Sequence, residues 1–128
     1  MSDPLSADVR EFIADHIGSI THLELLLLLQ ADPDKTWTPQ HAAAALYTAV
    51  NMTEALFENL RSAKLVVFDS SANGYRFQPA NSDTAAIVSA LAKLYQERRI
   101  SVISAIYTGS AAEIRNFADA FRLRRKEN

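Results

Sequence analysis

A chain of 128 residues that is 48% hydrophobic and 22% charged, with three glycines and four prolines, describes one mostly helical domain and excludes intrinsic disorder as its main state. The absence of cysteine removes disulfides, thiolate metal sites and a cysteine nucleophile. A formal net charge of -2 hides an asymmetry: residues 1–80 carry five basic against ten acidic side chains, and residues 81–128 carry eight against five.

Ser6 is placed to cap a first helix that runs through His16, because Val9, Phe12, Ile13 and Ile17 fall at helical spacing and Gly18 supplies a stop. A second helix is expected to start on a capping box of Thr21 and Glu24, with Ile20 and Leu25 as its hydrophobic staple. The run Leu25 to Leu29 points in every direction around that helix, which marks it as the central core helix. It is far shorter than the ~18 residues of a membrane span, and no basic leader precedes it, so no membrane association and a cytoplasmic location are expected. Asp32-Pro33 ends the helix, since a residue before proline is pushed away from helical angles.

Thr38-Pro39 opens a third helix to about Ala49, with a small face of Ala42, Ala43, Ala45 and Leu46. Asn51 is expected to cap a fourth, with Glu54 as box partner and Leu56, Phe57, Leu60 and Ala63 inside. Two short helices joined this tightly make a helix-turn-helix. Leu65-Val66-Val67-Phe68 then reads as a strand, Asp69 to Gly74 as a turn and Tyr75-Arg76-Phe77 as the returning strand, with Trp37 as a short third. Ser82 is expected to cap a long helix that keeps its period through Ile87, Val88, Leu91, Leu94, Tyr95 and Val102 to Tyr107. Gly109 ends it, and a last helix from Ser110 to about Arg124 presents Ile114, Phe117, Ala118 and Phe121.

Leu60 to Val66, a Leu-x-x-x-x-Leu-Val run at the end of the fourth helix, leads into the hairpin and returns through Tyr75-Arg76-Phe77. This pattern resembles a winged helix-turn-helix domain over Thr21 to Pro79, and the long helix behind it is similar to that of MarR-like and PadR-like transcriptional regulators. The fold expected is mainly α with a small β-hairpin wing: a winged helix-turn-helix in residues 1–80, then a C-terminal helical dimerisation segment and basic tail in residues 81–128. The resemblance implies a dimeric regulator that inserts its fourth helix into the major groove of double-stranded DNA, while the wing touches backbone or minor groove.

Gln40, Thr53, Asn59, Arg61 and Arg76 are the outward uncharged or basic groups for that contact, and Arg122, Arg124 and Arg125 can add a phosphate anchor. Glu54 and Glu58 oppose it, because carboxylates repel phosphates. Lys64 stands where such domains commonly carry glycine, and the wing holds one basic residue, Arg76. A second reading therefore stays open: a winged-helix adaptor that binds protein, with Arg122 to Lys126 meeting an acidic partner. Dimerisation is expected through Leu91, Leu94, Tyr95, Val102, Ile103, Ile106 and Tyr107, since apolar groups surround residues 100–107.

No enzyme, cofactor or metal site is expected. His16, His22 and His41 lie in separate helices without ligand spacing and read as surface or cap-adjacent residues, and three scattered glycines build no phosphate loop. Trp37 reads as a core residue or a ligand-stacking one. Arg98 and Arg99 read as solvated heads on buried stems or as partners for a carboxylate.

Overall fold

The structure, a computed structural model, describes residues 5–107. The expected stop at Gly109, the final helix with Ile114, Phe117, Ala118 and Phe121, and the basic cluster Arg122, Arg124, Arg125 and Lys126 lie outside them. In chain order the elements are α1 (Ala7–His16), α2 (Ile20–Ala31), α3 (Pro39–Leu46), α4 (Val50–Ser62), β1 (Val66–Asp69), β2 (Gly74–Phe77) and α5 (Ser82–Glu97). Residues 99–107 are helical again after a break at Arg98.

Leu23, Leu25, Leu26 and Leu29 of α2 have no exposed surface, and α2 touches α3, α4, α5 and β2. It is the central helix that the leucine run requires, each such burial contributing about 1.5–3 kcal/mol. Val9, Phe12 and Ile13 of α1, Phe57 and Leu60 of α4, and Val88 and Leu91 of α5 join the same cluster, as do Val102, Ala105 and Ile106. One core thus includes residues on both sides of Ala80.

The hairpin pairs Val66 with Phe77 and Asp69 with Gly74, antiparallel. Trp37 adds a third, one-residue edge, exchanging two backbone hydrogen bonds of 2.7 Å with Tyr75. A Cβ on Gly74 would lie 2.6 Å from the Trp37 carbonyl oxygen, so that edge needs a residue without a side chain there.

Several local expectations give way. Ser6 caps α1 by accepting from the Val9 N–H as expected, but the helix ends on an extended Ile17, and no described glycine has positive φ. Ser19 rather than Thr21 caps α2, accepting from His22 N–H at 3.0 Å, so Thr21 lies inside the helix and the box with Glu24 does not form. α3 stops at Leu46 because Tyr47 turns left-handed, which leaves Ala45 exposed. Ala49, not Asn51, precedes α4, and no side chain caps it. Asn81, not Ser82, caps α5, accepting from Thr84 N–H at 2.8 Å. Arg98 (φ -135, ψ 50) then interrupts the helix while its carbonyl accepts from Val102 N–H. Beyond the break Val102 and Ile106 are buried in the core.

Candidate nucleic-acid interface

The turn between α3 and α4 is closed by two backbone bonds. Tyr47 sits at φ 55, ψ 46, its N–H reaches Ala44 O, and Thr48 N–H donates to Ala43 O at 3.0 Å, the two bonds of a Schellman ending. Tyr47 is 96% exposed, and Val50 and Met52 beside it are exposed as well. Nothing in the spacing of residues 38–49 signals a left-handed tyrosine at this point.

α4 then divides by periodicity. Phe57 and Leu60 face the core, while Met52, Glu54, Ala55, Glu58, Asn59 and Arg61 face solvent. Thr53 belongs to the inner set: it is fully buried and its hydroxyl donates to Ala49 O at 2.9 Å, so the expectation that it points outward does not hold. The hydroxyl replaces solvent with its own helix's carbonyl, which makes an inward threonine tolerable.

The far end of α4 is locked to the wing. Lys64 takes φ 62, its N–H donating to Arg61 O and that of Leu65 to Leu60 O, another Schellman ending. The glycine-like position of Lys64 is therefore also glycine-like in backbone. Phe57 and Tyr75 stack in parallel at 4.3 Å, and the Tyr75 hydroxyl donates to Glu58 Oε2 at 2.6 Å. Burial, with Glu58 as acceptor, pushes the Tyr75 hydroxyl up to about 12. Glu58 also meets Arg61 at 3.3 Å. The carboxylate read as an obstacle to DNA thus holds the wing in place.

The outward groups do not form one cluster. Arg61 and Lys64 line an open groove of about 410 Å³ with Val66, Val67, Phe68 and Gln78. Arg76 reaches that side through a 3.1 Å bond to Gln78 and lies 3.9 Å from Asp69. Hydrogen bonds from Ser71 hold the Asp69 carboxyl below its usual range. Asn59 instead opens on a cleft of about 460 Å³ shared with Asp15, His16, His22 and Ser62, and Gln40 is exposed on α3. From Val50 to Phe77 three carboxylates (Glu54, Glu58, Asp69) balance three cations (Arg61, Lys64, Arg76).

Placement decides the tryptophan and histidine expectations. Trp37 is buried, with Lys35 Nζ 4.0 Å over its ring and His41 packed at 4.6 Å, as a core residue rather than a ligand-stacking one. His22, expected at the surface or beside a cap, is cap-adjacent and buried: its N–H donates to Ser19, which caps the helix two residues before Thr21. Burial, then the charge of His16, lowers its pKa. Of the residues expected at a dimer interface, Leu91, Tyr95, Val102 and Ile106 are buried within this chain, Leu94 and Ile103 are half-buried, and Tyr107 is exposed. Arg99 lies over the Tyr95 ring at 4.6 Å, and the Tyr95 hydroxyl donates to Glu24 at 3.4 Å.

Helix, helix-turn-helix, two-stranded wing with its one-residue edge, then C-terminal helices: the described residues form a winged helix-turn-helix domain. The crystal structure of MepR, a transcription regulator of the Staphylococcus aureus multidrug efflux pump MepA, is similar over 94% of this chain and 88% of its own, with 14% identity and a TM-score of 0.53. No protein-family model and no curated protein sequence matches the chain. Among the described residues no single helix is long and apolar enough to cross a membrane.

Proposed function

We propose that the protein is a non-enzymatic, cytoplasmic transcription regulator that binds double-stranded DNA as a dimer through α4 and the wing. The observation that supports this best is the rigid joint between them. Phe57 on Tyr75 and Tyr75 on Glu58 make the end of α4 and the hairpin one surface, and Arg61, Lys64 and Arg76 gather on its groove side. Helix and wing presented together are what a groove and its flanking phosphates require. The similar solved structure is itself described as a transcription regulator. Arg122, Arg124 and Arg125 add further cations for phosphate.

A second reading, a protein-binding adaptor, draws on the zero net charge between Val50 and Phe77 and on the exposed Tyr47, Val50, Met52 and Phe68. Gel shifts of the full chain on random duplex DNA across a salt series separate the two. The DNA reading expects a complex that weakens as salt rises, and Arg61→Ala with Arg76→Ala lowers the slope by about 4, one for each phosphate that the two protomers no longer neutralise. No complex at low salt with protein at tens of micromolar would overturn the DNA reading and favour the adaptor.

A further inference from the structure

The outward side of α4 suits a narrower target than duplex DNA in general. Opposite the buried Thr53, Phe57 and Leu60, positions i, i+4, i+7 and i+11 place Asn51, Ala55, Glu58 and Ser62 on the line of the helix farthest from the core, and all four are exposed. Asn51 lies within the first turn, which Ala49 precedes without a side-chain cap, so its amide makes no hydrogen bond among the described residues. Ala55 follows one turn later. Glu58 is turned to Tyr75 and Arg61.

The cations stand off this line. Arg61, one residue and so about 100° round the helix from Ser62, is held against Glu58 at 3.3 Å, and Lys64 lies past the helix end in the turn to the wing. That matters because each base presents its own edge in the major groove. Guanine offers two acceptors, O6 and N7, and is read mostly by arginine or lysine, whereas the N7 acceptor and N6 donor of adenine match the two ends of one asparagine amide, and thymine adds a methyl group that an apolar side chain covers. The outward line supplies the amide and the methyl but no cation. Asn51 and Ala55 are about 6 Å apart along the helix, at most about two base-pair steps of about 3.4 Å, so both bear on neighbouring pairs.

We infer that α4 reads A·T pairs in the major groove, Asn51 pairing with adenine and Ala55 covering the thymine methyl, and that it does not read guanine. This rests on the proposed DNA binding and narrows its target. The competing readout is Glu54, exposed beside the line, accepting from the amino group of cytosine.

The test compares the full chain on duplexes of equal length: mixed A·T, mixed G·C, and the A·T duplex with uracil in place of thymine or with a deaza-adenine that lacks N7. The two replacements alter only the major-groove edge, which separates this readout from contact by the wing in the minor groove. The A·T duplex should bind about tenfold or more tightly than the G·C duplex, and each replacement should weaken it several-fold. Asn51→Ala should abolish the response to deaza-adenine and keep the response to uracil, and Ala55→Gly should do the reverse; each readout is a ratio of two affinities of one variant, so a change in its stability cancels. Equal affinity for all the duplexes, an A·T preference that survives both replacements, or a G·C preference that Glu54→Gln removes would each overturn this readout and leave the DNA reading standing. No complex with any duplex would overturn both.

Discussion

The two ends of α4 are built on opposite plans. Its start follows a turn closed by a Schellman pair of backbone bonds, has no side-chain cap, and displays Tyr47, Val50, Met52 and Glu54. Its end is closed by the Lys64 turn, stacked through Phe57 on Tyr75, and hydrogen-bonded through Glu58 to the wing. The cations of this surface, Arg61 and Lys64 with Arg76 nearby, belong to the closed end. Packing and positive charge therefore coincide at the wing side, which is where the proposed function would place phosphates, while the open end offers apolar surface and a carboxylate.

Phe57→Ala should erase this contrast most completely, because it removes a fully buried ring and the stack on Tyr75. It should cost about 3–5 kcal/mol in denaturant unfolding. A loss under about 1 kcal/mol, the size of an ordinary surface change, would mean that the closed end is not closed by packing. Gly74→Ala should cost about 1–3 kcal/mol by forcing a Cβ against the Trp37 carbonyl, with the loss of the Trp37 edge visible in hydrogen exchange at Tyr75. Lys64→Gly should do the reverse, stabilising the chain by about 1 kcal/mol as the left-handed strain is relieved; thermal melts should rise by a few degrees. Unchanged or lower melting would deny that strain.

Glu54→Gln tests the open end by affinity instead. Glu58 is committed to Tyr75 and Arg61, so Glu54 is the carboxylate that can be neutralised without disturbing the wing. Non-specific duplex binding should tighten a few-fold if the start of α4 approaches phosphates. Equal affinity would confine the contact to the closed end. The smallest effect expected is the pH dependence at His22. Its folded pKa lies below the ordinary 6.5, so the unfolded chain takes up the proton more readily. The neutral form's stability is present above about pH 6.5 and is lost as pH falls below it. His22→Gln should therefore flatten the decline of melting temperature between pH 7 and pH 5; an identical slope would contradict the burial argument.

The features legible in the sequence share one property. Ser6 before Val9, Thr38-Pro39 and Asp32-Pro33 act within four residues, and the structure keeps all three. The leucine run signalled burial because it leaves no polar side, and Lys64 and Trp37 were legible from their positions beside the fourth helix and the hairpin. Cap choices at α2 and α4 were not, since Ser19 and Thr21, or Ala49 and Asn51, differ by two residues and each offers a workable start. Thr53 was legible but missed: it lies four residues before Phe57 and seven before Leu60, on the same inner stripe.

The order and type of the elements, and the apolar residues available to each, are written in the amino-acid sequence, because periodicity, proline and turn chemistry act between near neighbours. Tertiary packing alone selects which of two apolar faces on residues 99–107 is covered, where Arg98 bends the chain, and that Glu58 answers Tyr75 across 17 residues. Those outcomes depend on segments that approach one another only after the core around α2 has formed, and no local pattern encodes the distance between them.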